Sequence, residues 1–281
     1  MNKVISIVGP TASGKTKLAI DMALQLKSEI ISADSRLVYK GFDIATAKPT
    51  KDEQNLVRHH LIDVVEHEFD YSVADYVDAA TDKIQELHSK NIIPIVVGGT
   101  GLYFRILLEN YSLPRIEANP VLRAELEIRE TKVLYDELQK LDSVAAAKIH
   151  PNNRVRVIRA LEVCKTLNKP FSEACGLKEK PYDVEWIFPE IESRDWLYDR
   201  INQRVDMMLD LGLIDETKLL LKKHGRIKNL VNTIGYQEMI AYLDGSISLQ
   251  DAVEKLKQNT RRYAKRQLTW FRKNPNLNFD I

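Results

Sequence analysis

The sequence predicts an α/β fold: a parallel-sheet core of the P-loop NTPase type, carrying an α-helical insertion. Three observations predict it. Short apolar runs alternate with amphipathic segments over roughly the first hundred residues. A glycine-rich string stands between the first such pair. From 114 to 181 the patterning is helical alone, before strand and helix patterns return.

In order, Val4–Val8 is expected as a strand and Lys15–Leu26 as a helix, with Leu18, Ala19, Met22 and Leu26 on one face. Glu29–Ala33 and Leu61–Val65 are further strands. Val73–His88 reads as a helix opened by Ser72, with Asp75 three residues on in a capping-box arrangement. Ile92–Val97 is a continuous β-rich run closed by Gly98-Gly99, as expected of a strand covered on both faces. Within the insertion, Ala118-Asn119-Pro120 starts a helix, Val121–Leu141 is charged and amphipathic, and Asn152–Leu167 is helical. Val184–Phe188 is a late strand, followed by helices at Trp196–Leu211, Ile214–His224 and Leu249–Phe271. The expected division is therefore 1–113, first part of the core; 114–181, the insertion; and 182–281, the rest of the core.

Composition narrows the function classes. The 281 residues are 44% hydrophobic and 29% charged, enough for a sizeable core and unlike a disordered chain. No apolar run approaches the ~20 residues of a membrane helix, and Val4–Val8 is too short for a signal-peptide core, so no membrane partner is expected. Two cysteines, Cys164 and Cys175, make neither a disulfide framework nor a four-cysteine zinc site, and the cytoplasm is the expected location. His59-His60 and His150 belong to no cluster with ligand spacing, so no transition-metal site is expected.

The net charge of +1 hides an asymmetry. Lys255–Phe279 holds eight Lys/Arg and no Asp/Glu, so that stretch is +8 and the remainder −7. Such a stretch suits a polyanion partner; a solvated helix face would look the same.

Gly9-Pro10-Thr11-Ala12-Ser13-Gly14-Lys15-Thr16 has P-loop spacing between a strand and a helix. Its backbone amides would curl around phosphate oxygens, Lys15 would reach the terminal phosphates, and the Thr16 hydroxyl would ligate Mg²⁺. Asp34-Ser35 ends the second strand, at the edge where parallel sheets bind ligands. A carboxylate there could serve a metal or a nucleophile's proton, or simply cap a turn. Gly98-Gly99-Thr100-Gly101 offers close backbone approach and one hydroxyl, or no more than a tight turn.

Along its length the sequence resembles the bacterial tRNA dimethylallyltransferases (tRNA isopentenylpyrophosphate transferases). The resemblance rests on GPTASGKT (Gly9–Thr16), ADS (Ala33–Ser35), DIATAKP (Asp43–Pro49), HHLID (His59–Asp63), YSVADY (Tyr71–Tyr76) and PIVVGGTGLYF (Pro94–Phe104). It continues through HPNNRVRVIRALEV (His150–Val163), RINQRVDMML (Arg200–Leu209), GLIDE (Gly212–Glu216), IGYQE (Ile234–Glu238) and YAKRQLTWFR (Tyr263–Arg272). These run in the family's order along almost the whole chain. Arg36-Leu37 stands where the family usually has Met-Gln or similar, and Ala45 where it usually has glycine. No zinc finger like that of eukaryotic relatives is expected, in line with the two cysteines.

The resemblance implies transfer of a dimethylallyl group from dimethylallyl diphosphate to N6 of the adenosine just 3′ of the tRNA anticodon. It implies that the P-loop holds the donor's diphosphate, with Mg²⁺ at Thr16, and that Asp34 orients and deprotonates the amino group beside Thr100. Arg200 and Arg204, one helical turn apart, would face the diphosphate from a second side or else be solvated charges. Contacts to the tRNA anticodon arm fall on Asp34, Ser35, Arg36, Leu37, Thr100, Arg123, Val155, Arg156, Val157, Ile158 and Arg159. Asn232, Thr233, Ile234, Gly235, Tyr236 and Gln237 complete that set. Arg154, Arg156 and Arg159 cannot share one helix face, so at least one is structural. A monomer is expected. The competing readings are a P-loop small-molecule kinase or ATPase, a non-catalytic RNA-binding module, and an adenylate isopentenyltransferase acting on free AMP.

Overall fold

In the computed structural model, residues 2–109, 111–116, 119–177, 179 and 181–279 are described. The chain divides into two compact units, Met1–Leu107 with Pro181–Ile281, and Leu108–Lys180.

The first part of the larger unit contains β1 (Lys3–Val8), α1 (Lys15–Leu26), β2 (Ile30–Ser32), α2 (Lys51–Leu56), β3 (His59–His60), α3 (Val73–Ser89), β4 (Ile95–Gly98) and α4 (Gly101–Leu107). The smaller unit follows with β5 (Tyr111–Ser112), α5 (Pro120–Glu127), α6 (Thr131–Leu141), α7 (Ser143–Lys148), α8 (Arg154–Leu167), α9 (Phe171–Ala174) and β6 (Gly176–Leu177). The chain then returns to the larger unit with β7 (Asp183–Ile187), α10 (Arg194–Asp210), α11 (Leu213–His224), α12 (Lys228–Val231), α13 (Tyr236–Leu243) and α14 (Leu249–Phe271).

Five parallel strands form one sheet in the order β3-β2-β4-β1-β7. Because β4 returns to lie between β2 and β1, the carboxyl ends of β1, β2 and β4 sit side by side. In open α/β sheets that edge is where ligands bind. The central strands β1, β2 and β4 are buried, which is why they read as apolar runs, whereas the edge strand β7 is partly exposed and mixes charged with apolar residues. Ile5, Ile7, Ile30 and Ile95 pack with Ala19, Ile20 and Ala23 of α1. Leu197 and Ile201 of α10 meet Ala264 and Leu268 of α14 around Ala12. A further apolar cluster joins Val38, Tyr39 and Phe42 to Leu213, Tyr236, Met239 and Leu256.

Several expectations shift, each for a local reason. Pro94 has no N–H for the ladder, so β4 starts at Ile95 and not at Ile92, although the Pro94 carbonyl still accepts from Ile5 N at 3.0 Å. The strand expected at Leu61–Val65 is broken by left-handed residues at Leu61 (φ 60°) and Asp63 (φ 56°). Pairing there is limited to β3 and a single bridge between Tyr39 and Val65. Ser72 and Asp75 do form the capping box of α3, each side chain bonded to the other's amide.

The smaller unit is not purely helical, since β5 and β6 pair antiparallel. Its limits, 108 and 180, also differ from the expected 114 and 181. The single helix expected at Val121–Leu141 is two, because Glu130 is extended (φ −63°, ψ 141°) and serves as the N-cap of α6. Asn119 caps α5 at Leu122 N, with Pro120 at the first turn; Ala118 lies outside the described residues. The core of this unit is Leu126, Leu134, Leu138, Val157, Ala160 and Leu161.

Within that core lies one carboxylate. Glu162 is 0% exposed, accepts a two-pronged bond from Arg123 (2.9 and 3.0 Å), and is bonded by Arg159 (2.5 Å) and Asn119 N (2.9 Å). Burial by itself would raise its pKa, but these donors outweigh burial and hold it below the ordinary 4.5. A carboxylate depressed in the fold contributes stability that is complete above that ordinary value and disappears as pH falls through its folded value. Glu162→Gln should therefore be less stable than wild type near neutrality and lack this acid-dependent component below pH 4.5. Urea unfolding along an acid series checks it; parallel pH profiles for the two proteins would remove Glu162 from that role.

Candidate active site

A cavity of about 680 Å³ opens at the carboxyl ends of β1, β2 and β4, lined wholly by residues of the larger unit. The P-loop forms one wall. Its turn uses left-handed backbone at Ala12 (φ 63°) and at Gly14 (φ 87°), which is the N-cap of α1. Thr11 through Thr16 line the cavity, whereas Gly9 and Pro10 do not. Pro10 instead accepts bonds from Ser13 Oγ (2.9 Å) and from the Lys15 ammonium.

Two arginines of α10 bond the loop from its other side. Arg200 Nε donates to Ala12 O at 2.8 Å, with its guanidinium 4.7 Å from the Trp196 ring centre. Arg204 donates to Thr11 Oγ1 at 3.0 Å. Both line the cavity; Arg204 is partly buried there, whereas Arg200 remains exposed to solvent. Lys15, Lys17, Arg36 and Arg266 line it as well, against two carboxylates, Asp34 and Glu53. Crowding has a price in protonation. The Lys15 residue is partly covered but its ammonium is enclosed; burial, then Arg204, lowers its pKa to about 7 although Asp34 opposes this. Burial, followed by Arg200, lowers Arg204 too. An anion would relieve both.

Of the two sequence readings of Asp34, the turn cap is observed directly, and the residue also lines the cavity. Its Oδ1 accepts from Arg36 N at 2.8 Å, capping a turn, while the residue faces the cavity. Ser35, Arg36 and Leu37 line it beside Asp34. Thr100 sits behind them: its Oγ1 accepts from Ser35 N (3.0 Å), and its side chain is hydrogen-bonded to Tyr263. Burial raises the Tyr263 phenol, and Asp34 adds to the shift.

The glycines after β4 answer to packing. A Cβ at Gly98 would stand 2.2 Å from Ala33 O, at Gly99 2.0 Å from Gln267 Nε2, and at Gly101 2.1 Å from the Trp270 ring. Gln267 is the residue the sequence reading missed. Its Oε1 accepts from Thr11 N (2.8 Å) and its Nε2 donates to Gly99 O (3.0 Å), so one buried amide joins the P-loop to the β4 loop. The signal was present, since Tyr263, Arg266, Gln267 and Trp270 are spaced as one helix face, yet α14 drew notice for its charge. Glu53, His59 and 45–47 also line the cavity without having been singled out for it.

Of the remaining expected positions, Asn232, Thr233, Ile234 and Gln237 line the cavity. Tyr236 does not. It is fully buried, its hydroxyl donating to Glu216 Oε1 at 2.7 Å while that carboxylate accepts from Ile44 N (2.9 Å) and Ala45 N (3.2 Å). Gly235 presses on Ala45: a Cβ there would lie 2.8 Å from the Ala45 Cβ. Val157 and Ile158 belong to the core of the smaller unit, which corrects the expectation that their side chains meet a partner. Arg123 and Arg159 are engaged by Glu162, and Arg154 bonds Thr131 Oγ1 and two carbonyls. Val155 and Arg156 are the exposed members of that segment.

The comparisons agree with one another. The model of the family described as IPP transferase matches residues 37–274. A tRNA dimethylallyltransferase of Halalkalibacterium halodurans is 48% identical, over 99% of this chain and 91% of its own length. That of Bacillus subtilis is 46% identical, over 96% and 87%. The crystal structure of a full-length tRNA isopentenylpyrophosphate transferase from Bacillus halodurans superposes with a TM-score of 0.72 at 46% identity, covering 98% of this chain and 88% of that one. A eukaryotic dimethylallyltransferase captured acting on tRNA gives a TM-score of 0.85 at 30% identity, covering 96% and 70%.

A lysine with a pKa near 7 makes anion binding pH-dependent. A polyanion favours the charged amine, so pyrophosphate affinity should fall as pH rises above about 7, and binding at higher pH should take up a proton. Lys15→Met should weaken binding by about 10–100-fold, the worth of a charged hydrogen bond, and lose that proton uptake. Calorimetry in buffers of different ionisation enthalpy checks it, because the ligand's own titration is common to both proteins. Equal proton uptake in both would refute the assignment.

A cation-walled P-loop cavity, a carboxylate at its rim and matches over nearly the entire chain lead to one conclusion: the chain belongs to the IPP transferase family.

Proposed function

We propose that the cavity binds dimethylallyl diphosphate and that the enzyme transfers its dimethylallyl group to N6 of the adenosine just 3′ of the tRNA anticodon. The observation that carries this reading is a strongly cationic P-loop cavity that also holds the Asp34 carboxylate at the end of β2. Diphosphate leaves as a polyanion, so stabilisation belongs on the leaving group, where the P-loop amides, Lys15, Arg200 and Arg204 can supply it. The exocyclic amine is a weak nucleophile whose lone pair is delocalised into the ring. Asp34 would accept a hydrogen bond from N6 and take its proton as the carbon–nitrogen bond forms.

Mg²⁺ fits these residues. The Thr16 hydroxyl, a hard oxygen donor in the first turn of α1, lines the cavity beside the P-loop. When bound, the ion would neutralise charge on the diphosphate. An adenine stacked in an anticodon arm must be turned outward to reach Asp34, which requires a surface that grips the flanking backbone. Arg262 and Lys265 are exposed on α14; Arg266 of the same helix lines the cavity. Arg261 bonds Asn202, Lys257 pairs with Asp206, and the helix ends at Phe271, so Arg272 is its C-cap and not part of the helix body. Among the described residues no helix is long and apolar enough to cross a membrane.

The test is transfer from labelled dimethylallyl diphosphate with Mg²⁺ to tRNA, to AMP, or to no acceptor. Transfer to tRNA alone supports the reading; transfer to AMP alone, or none, rejects it. Asp34→Ala should bind the donor nearly as wild type while single-turnover transfer falls by about 10²–10⁴-fold. A change of only a few-fold would dismiss Asp34 as the base. Binding of tRNA should weaken steeply with salt, and Arg262→Ala with Lys265→Ala should flatten that slope by about one unit for each phosphate that the native side chain neutralises. Parallel slopes would place the phosphate-binding cations elsewhere.

A further inference from the structure

We propose that His67, Glu68 and His224 form a transition-metal site of the zinc class, outside the phosphate cavity. None of the three lines that cavity. The loop after the Tyr39–Val65 bridge supplies His67 and Glu68; the last residue of α11, followed by its cap Gly225, supplies His224. Sequence reading did not expect this, since 156 residues separate Glu68 from His224.

The distances suit a small tetrahedral ion. One ligand atom from each residue lies within 4.8 Å of the others. Glu68 Oε1 is 3.5 Å from His67 Nε2 and 2.9 Å from His224 Nδ1. Donors about 2.0–2.2 Å from zinc at tetrahedral angles stand roughly 3.3–3.6 Å apart, so both Glu68 distances already lie within about half an ångström of that spacing. The two imidazoles meet edge to face, with ring centres 3.6 Å apart and planes at 79°.

The second observation is chemical. His67 is 4% exposed, and its Nε2 has no hydrogen-bond partner among the described residues. Its Nδ1 faces Lys40 O at 3.3 Å, and a carbonyl only accepts, so in the neutral ring Nδ1 carries the hydrogen. Nε2 is then a bare lone pair directed toward a carboxylate, an arrangement that is unfavourable without a cation between them. A metal-bound histidine commonly donates its other nitrogen to a backbone carbonyl in this way. The ring is held in place: Asn229 Nδ2 donates to His67 O (3.1 Å) and Phe69 O (3.0 Å), and Phe42 stacks at 5.8 Å and 20°. The Glu68 side chain is 45% exposed, which opens a path for the ion and leaves room for water as a fourth ligand. A bound ion would pin the loop to α11. Through Phe42 and Tyr236, in edge contact at 4.9 Å, it would also stiffen the segment that Glu216 holds at the cavity.

The experiment uses the full, tag-free chain stripped with a chelator, then titrated with Zn²⁺ against a chromophoric competitor and, separately, with Co²⁺. Wild type should take one tight Zn²⁺, show the intense visible bands of four-coordinate Co²⁺, and gain thermal stability with Zn²⁺. His224→Ala and Glu68→Gln should each weaken Zn²⁺ at least about 100-fold and abolish the Co²⁺ bands and the thermal gain. Absence of stoichiometric binding, the result expected of a simple imidazolium–carboxylate pair, would overturn the proposal. So would Zn²⁺ affinity unchanged in both variants.

Discussion

The site depends on one side-chain amide. Gln267 has an acceptor and a donor on the same carbon, and it uses the first on the Thr11 amide and the second on the Gly99 carbonyl. Two loops that follow different strands are thereby fixed to a third element, α14, which arrives from the far end of the chain. The arrangement explains the glycines opposite. At Gly99 any Cβ would collide with the Gln267 amide, and at Gly101 with Trp270 one turn further along α14. Tyr263, one turn earlier, reaches Thr100 behind the Asp34 turn. A single helix face thus sets the distance between phosphate cradle and rim carboxylate, which is the distance a group-transfer reaction must respect.

The cavity is also electrostatically unbalanced. Burial, and after it the neighbouring cations, disfavours the charged forms of Lys15 and Arg204. A fold ordinarily avoids this, because a buried charge without a partner is costly. Under the proposed function the partner would be the diphosphate, for which these cations form a preorganised field. The same reasoning separates these arginines from those of the smaller unit. Arg123 and Arg159 have their carboxylate already, in Glu162, and serve the fold.

Other charged groups brace the segment between β2 and α2. Lys48 has a side chain only 4% exposed, paired with Asp43 at 2.7 Å and with Asp63. Glu216 holds the Ile44 and Ala45 amides from α11. Both residues lie within strings that carry the family resemblance, yet neither lines the cavity. Their work is to shape the backbone that does.

The sequence by itself determined the P-loop, the alternation that builds a parallel sheet, the boundaries of α1 and α14, and the family. Each of those is written in contiguous residues: glycine spacing, helical period, or an ordered series of strings. It also determined Arg200 and Arg204 as a pair, because one helical turn separates them. Tertiary structure decided what contiguous residues cannot encode. Gln267 acquires a role only when α14 meets loops more than 160 positions away. Val157 and Tyr236 looked available and are buried, because which face of a helix turns inward is set by its neighbours. Leu61 and Asp63 ended a strand that their apolar neighbours promised, since left-handed backbone overrides β-propensity. His67, Glu68 and His224 became a cluster only through the fold, which brings together donors that no sequence window contains.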